Sequence, residues 1–293
     1  MQHQPWNELN IEHLLSLAEV GPGHWQTKHG DANLNGRSYG GQLLAQALMA
    51  GMMDVPADRV ATMMQFLFMR GAMPQEAVDL HVTPLQDGKR FSSRHVRAFQ
   101  GNGHAILDAQ VTCAVTLDAP SHGSASTAPP GELPKDLPEL GDVDPGLLLA
   151  ISGLGGYSQD HKPSIEFRIP EPHRQFSLES MNGRFRFWMR PAREMPDDPR
   201  LHAAAFAYLS DWWVNFSALG LHLREVGARR LYVSSLNHAI WLHTSFRADQ
   251  WLHVETMSPA SGAGRGLSIA RVHDADGRSL ATVTQECLMA YVD

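Results

Sequence analysis

Cys113 and Cys287 stand 174 residues apart, and the same separation lays one half of the chain on the other. Residues 66–69 fall on 240–243, 79–87 on 253–261, and the turn Asn102-Gly103 on Asp276-Gly277. Self-similarity at a fixed spacing means that one supersecondary unit has been built twice, which leaves few architectures open. In the first copy the unit starts at Tyr39-Gly40-Gly41-Gln42 and runs through an apolar stretch to Ala50, too hydrophobic around its circumference for a surface helix. Strand-like segments follow at 61–68, 77–85, 90–100 and 104–117, the last two joined by Asn-Gly, a strong hairpin signal. Ahead of the unit, 11–20 reads as a short amphipathic helix and 25–36 as loop or irregular strand. The second copy is entered by strands at 164–168 and 184–190, and its helix, 203–214, follows the loop Asp197-Asp198-Pro199.

A helix with so little polar surface must be covered, and the nearest cover is the sheet that follows it in the chain. The expectation is therefore an α+β fold, a tandem double hot-dog in which each half wraps a long core helix in an antiparallel sheet. The amino repeat is expected at 1–118 and the carboxyl repeat, carrying the reactive residues, at 161–293. Between them 119–160 is rich in Pro, Gly and Ser and reads as a linker. With 43% hydrophobic and 19% charged residues the bulk is globular, and a net charge of -7 argues against a general nucleic-acid surface. No apolar run approaches a membrane span, the first residues lack the features of a secretory signal, and the last residues form no peroxisomal address. A cytoplasmic location is expected. Cys113 and Cys287 have neither metal-ligand nor disulfide-framework spacing and read as small buried apolar side chains.

Duplication also supplies a control, because packing alone does not place a polar group in one copy where the other is apolar. On the final strand of the first copy Leu107, Ala109, Val111, Cys113, Val115 and Leu117 form one apolar face at the period of two. The second copy reads Ala281, Val283, Gln285, Cys287, Met289 and Tyr291. A core-facing glutamine costs about 1–3 kcal/mol unless its amide is hydrogen-bonded, so Gln285 requires partners. Ser235 similarly takes the place of Ala61. Asp211 is set among Tyr208, Leu209, Trp212 and Trp213, where it must find partners or shift its pKa. His238 and His243, near a strand end beside Trp241, read as packed or capping residues and are left out of the site.

Further marks are Gln46-Ala47-Leu48 after the glycine-led start, Phe66-Leu67-Phe68-Met69-Arg70, Asp87-Gly88-Lys89-Arg90-Phe91-Ser92-Ser93-Arg94, Glu171-Pro172-His173-Arg174, Ser210-Asp211, Asn237-His238-Ala239-Ile240-Trp241 and Gln285-Glu286. On these residues nearly the whole chain resembles the type II acyl-CoA thioesterases, double hot-dog proteins of bacteria and peroxisomes. The resemblance implies a catalytic Asp on the second core helix, a Thr or Ser on the following strand and a Gln on the final strand, here Asp211, Ser235 and Gln285. These are the three that the duplication singles out. Ser235 stands where some members have Thr, keeping the hydroxyl, and Asn237 where an Asp often precedes the His. The implied reaction is hydrolysis of a fatty acyl-CoA to free fatty acid and CoA without metal or cofactor. Exposed sheet edges and the resemblance together suggest a homodimer or homotetramer.

In that reaction Asp211 would take a proton from water held by Ser235 and Gln285. Gly40 and Gly41, at the start of the first core helix, would offer backbone N–H groups to the oxyanion. Other chemistries lack their sequence marks. A nucleophilic serine would want Gly-x-Ser-x-Gly, and Gly156-Tyr157-Ser158 fails at the last position. Neither a dinucleotide Gly-x-Gly-x-x-Gly nor a zinc-binding His-Glu-x-x-His is present. Two alternatives share the fold: an enoyl-CoA hydratase, which would pair Asp211 with a helix His such as His202 or His222, and a non-catalytic acyl-CoA-binding protein.

Overall fold

The computed structural model describes residues 6–33, 36–144, 162–177, 182–222 and 230–292. Twelve strands form one antiparallel sheet in the order β1-β2-β4-β5-β6-β3-β9-β12-β11-β10-β8-β7. The amino repeat contributes β1 (Leu17–Gly21), β2 (His24–Thr27), β3 (Arg59–Phe68), β4 (Asp79–Asp87), β5 (Phe91–Gln100) and β6 (His104–Val115). The carboxyl repeat contributes β7 (Ile165–Arg168), β8 (Arg184–Pro191), β9 (Arg230–Leu242), β10 (Leu252–Gly262), β11 (Arg265–His273) and β12 (Ser279–Val292). The order reads the same from either edge, and the two halves meet where β3 pairs with β9. This is the tandem double hot-dog expected of the duplication.

Among the described residues five α-helices accompany the sheet: α1 (Ile11–Leu15), α2 (Gly40–Met52), α3 (Pro172–Gln175), α4 (Pro199–Ser210) and α5 (Phe216–Gly220). The core helices α2 and α4 run antiparallel against each other. Tyr39, which caps the start of α2, donates its hydroxyl to the Tyr208 carbonyl near the end of α4, and Arg200 at the start of α4 reaches the Val55 carbonyl beyond the end of α2. Gly51 leaves room for Val111 and Val96, since a Cβ there would stand 3.1 Å from Val111. The sheet closes round both helices, and Leu44, Ala47, Ala204, Phe206 and Tyr208 are buried.

Three local departures from the sequence expectation have physical reasons. The helix at 11–20 is one turn long. Ser16 is already extended, and Leu17–Gly21 then pairs with His24–Thr27 through a turn at Gly23, whose φ of +65° suits glycine. The second core helix stops at Ser210, so Asp211 is its C-cap residue and not an interior one. The left-handed Trp213 (φ 62°) prevents direct continuation, and helix resumes only at Phe216. The continuous apolar face of the final strands also ends early. Leu107 to Cys113 and Ala281 to Cys287 are buried, whereas Leu117 and Tyr291 are exposed.

Alternation in β3 and β9 is reset by matching bulges. Thr62 lies between the pairs Ala61↔Cys113 and Met63↔Thr112, and Leu236 between Cys287↔Ser235 and Glu286↔Asn237. One extra residue flips the facing of everything beyond it. Ala61 therefore shares the inner face with Met64 and Phe66, all buried, and Ser235 shares it with the buried His238 and Ile240.

Of the predicted linker, residues 145–160 lie outside the described ones. The described part, 119–144, lies against the carboxyl repeat: Ser126 Oγ is 3.0 Å from His253 Nδ1, Ser124 Oγ is 3.2 Å from His273 Nε2, and Arg186 pairs with Glu132 at 2.7 Å. No helix among the described residues is long and apolar enough to cross a membrane.

Candidate active site

Where the end of α4 meets the start of α2, a cleft of about 710 Å³ opens, lined by Gly40, Leu43, Phe68, Asp211, Trp212 and Ser235 among others. Each polar side chain arrives there for a local reason. Asp211 is delivered by the break in α4, and Ser235 by the inward-facing half of β9 before its bulge. Gln285 comes from β12, whose alternation places it between the buried Val283 and Cys287. The structure brings the three together. Gln285 Nε2 donates to Asp211 Oδ1 at 2.6 Å and to Ser235 Oγ at 2.7 Å. Both amide hydrogens are then committed, and Gln285 itself is 0% exposed, behind the cleft wall.

Burial pushes the Asp211 carboxyl up from 3.8 to about 6, against the Gln285 hydrogen bond, a backbone hydrogen bond from Gly41 and the positive charge of Lys162. Lys162 is anchored close by, 2.6 Å from Asp31 Oδ2 and 4.4 Å over the Tyr39 ring. The expectation for the two glycines thus divides. Tyr39 gives α2 no side-chain cap, and Gly41 spends its backbone donor on the carboxylate, whereas Gly40 lines the cleft. Neither position accommodates a side chain. A Cβ on Gly40 would stand 2.6 Å from Asp211 Oδ2 and 3.2 Å from Phe68, and one on Gly41 would collide with the Tyr208 carbonyl and the Tyr39 ring.

His238 was excluded by the sequence reading, yet it lies directly across the β9–β12 pair from Gln285 and is 1% exposed. Its Nε2 is 2.9 Å from Ser210 Oγ, and burial holds the ring down to about 4, so it is neutral at ordinary pH. The signal existed in the duplication, because its counterpart 174 residues earlier is the apolar Met64. His243 lies apart, bonded to Thr282, and so do the helix-flanking histidines: His202 Nδ1 accepts from the Ala248 amide, and His222 meets Ser261. Among the described residues one group, His253, Glu255 and His273, has metal-ligand character. It sits under the 124–127 segment, with both histidines bonded to its serines and Glu255 accepting from the Thr127 amide.

The family description "Acyl-CoA thioesterase N-terminal domain" matches residues 29–114 and "Acyl-CoA thioesterase C-terminal domain" matches 134–289, the latter alone more than half of the chain. The chain belongs to the acyl-CoA thioesterase family. It is 29% identical to acyl-coenzyme A thioesterase 8 of Mus musculus over 94% of this chain and 87% of that protein. Identity to acyl-CoA thioesterase 2 of Haemophilus influenzae is 25%, over 96% of this chain and 97% of the relative. The crystal structure of an acyl-CoA thioesterase II from Mycobacterium marinum superposes with a TM-score of 0.78 at 28% identity, covering 97% and 99% of the two chains. For this acyl-CoA thioesterase family member the arrangement is chemically suggestive: a carboxylate with a pKa near neutrality, a hydroxyl 2.7 Å from the amide that also holds the carboxylate, and a helix start aimed at the same cleft.

Proposed function

We propose that the protein hydrolyses fatty acyl-CoA thioesters by water activated at Asp211, with Ser235 and Gln285 completing the catalytic set. The observation that carries this reading is the single amide of Gln285 joining the carboxylate and the hydroxyl. With both its hydrogens engaged, Gln285 orients the two acceptors instead of touching the water directly. A water donating one hydrogen to Asp211 and the other to Ser235 Oγ leaves a lone pair free for the thioester carbonyl. Attack forms the carbon–oxygen bond and passes the water's proton to Asp211. The resulting oxyanion lies at the start of α2, where the Gly40 amide and the helix dipole favour negative charge. Collapse breaks the carbon–sulfur bond, and the CoA thiolate recovers the proton from Asp211.

In this division of labour the amino repeat, 1–118, supplies the oxyanion side and the carboxyl repeat, 161–293, the base. An enoyl-CoA hydratase would want a histidine facing the reacting carbons, and His238 is turned instead to Ser210, away from the cleft lining. A reducing cytoplasm suits Cys113 and Cys287, whose buried thiols are pushed up to about 11 and 12. Leu67, Tyr232 and Trp241, exposed on neighbouring β3 and β9, favour a homodimer or homotetramer, which light scattering would measure.

Replacing Asp211 by Asn tests the reading. CoA release from a saturated acyl-CoA, followed with a thiol reagent, should fall by about 10²–10⁴-fold, the usual worth of a general base. Folding should not suffer. The acid's pKa is higher folded than unfolded, so its ionisation costs stability above about pH 6, a cost relieved as pH falls towards 3.8. The difference is worth about 3 kcal/mol at neutral pH, and the variant should melt no lower than wild type. Undiminished turnover in Asp211→Asn would remove the base from this mechanism.

A further inference from the structure

We propose that His238 is a positioning residue for Gln285, donating from Nδ1–H to Gln285 Oε1 and so fixing which end of the amide faces Asp211 and Ser235. The inference rests on the catalytic reading above and adds to it the group that holds the amide from behind.

A glutamine amide has two ends of nearly equal size, and only the nitrogen end can donate to both Asp211 and Ser235. While Asp211 is ionised, its charge selects that end. Once Asp211 has taken the water's proton the selection weakens, because a protonated carboxyl can donate to an amide oxygen. Something else must hold the amide through the cycle. Gln285 Oε1 and His238 Nδ1 are both buried without a full-strength partner among the described residues, and they belong to side chains paired directly across β9 and β12. Two such orphans on facing residues satisfy each other if the ring carries its proton on Nδ1. The ring also feels the amide, since contact with Gln285 opposes the effect of burial on its pKa.

A neutral imidazole has one donor and one acceptor, and the Ser210 hydroxyl can meet Nε2 in either state. That hydroxyl lies 2.9 Å from His238 Nε2 and equally 2.9 Å from the Ala207 carbonyl. With the hydroxyl turned to Nε2, the proton sits on Nδ1 and Oε1 of Gln285 is satisfied. Turned to Ala207, it leaves the proton on Nε2 and two acceptors face each other. The first arrangement gives up one hydrogen bond and provides partners for both orphans. Ser210 and Asp211 are chain neighbours, so the end of α4 presents the base on one side and sets the ring behind the amide on the other.

The test exploits the different reach of Asn and Gln. His238→Asn restores a donor where Nδ1 stands, while His238→Gln keeps the Nε2 end and loses the donor at Gln285. Turnover of a saturated acyl-CoA should fall about 10–100-fold in kcat for His238→Gln, the scale of a displaced catalytic group, with KM moved less than about threefold. His238→Asn should recover most of that loss. Because the Gln285 bond lowers the Asp211 pKa, the acid limb of kcat/KM should move to higher pH in His238→Gln and return in His238→Asn. A histidine that merely filled space would change melting temperature and active fraction without moving that limb. Should His238→Gln melt below the assay temperature, nitrogen NMR of the His238 ring in the wild-type protein supplies a second readout, with the proton expected on Nδ1. Equal kcat and an unmoved limb in the Asn and Gln variants, or a ring proton on Nε2, overturn the inference. If Asp211→Asn abolishes turnover while these variants match wild type, only the role of His238 falls; if Asp211→Asn retains turnover, the catalytic reading falls as well.

Discussion

Val111 and Gln285 occupy matching places in the two repeats, and their surroundings correspond pair by pair. Val111 is flanked across the sheet by Met64 and Arg94, Gln285 by His238 and Ser268. In the amino repeat the position is sealed by Gly51 of α2, and Arg94 is tied to Asp54 and Asp87 at 3.0 Å each. In the carboxyl repeat the same position lies under the broken end of α4, and Ser268 meets Ser217 at 2.9 Å. One copy thus sets Val and Met beside an ion-paired arginine; the other has an amide and an imidazole in their places, and the amide meets a carboxylate and a hydroxyl. The difference teaches that this fold does not need the polar set for stability, so that set is available for chemistry.

Among exchanges between the two copies, the largest effect is expected from making the carboxyl repeat like its twin. Gln285→Val removes the amide common to Asp211 and Ser235, and kcat should fall by about 10²–10³-fold. Its melting temperature should fall only modestly, because the amide takes its own burial cost with it while His238 Nδ1 loses one partner. A large drop in melting temperature would mean that the glutamine is structural after all. Gly40→Ala comes next. The added methyl presses on Asp211 and Phe68, and a displacement of that kind costs on the order of 10²-fold in kcat, measurable by the same assay.

The reverse exchange, Val111→Gln, should cost about 1–3 kcal/mol in urea unfolding and create no second site, because the acids nearby, Asp54 and Asp87, are held by Arg94. A Val111→Gln variant as stable as wild type would show that the amino repeat already has room and partners for an amide. The smallest loss is expected from Ser235→Ala, which copies Ala61. Asp211 and Gln285 remain in place, so kcat should drop only about tenfold, the worth of one neutral hydrogen bond in the transition state.

The duplication, the shared face of the final strands and the three polar side chains were legible because they are written in alternation and in differences between copies. Asp211, Ser235 and Gln285 were each identified by polarity in an apolar setting, and the structure joins them through one amide. His238 was not, since its environment beside Trp241 suggested packing; comparison with Met64, offset like every other pair, was the missed signal. The end of α4 at Ser210 escaped because the run of apolar residues carries on past it, and the left-handed Trp213 that stops direct continuation has no mark in the sequence. The bulges at Thr62 and Leu236 leave no compositional mark at all; they show only as a change of facing once the partner strand is known. The one-turn α1 and the β1 hairpin were hidden for a similar reason, because β2 is held by its pairing with β4 and not by its own residues.

Asp211 comes from one repeat, while Gly40, which lies against it, and Phe68, which lines the same cleft, come from the other. The site is therefore a seam, and neither copy inherits it alone. The half without the reactive side chains still walls the cleft, so removing it would dismantle the site as surely as removing one of them.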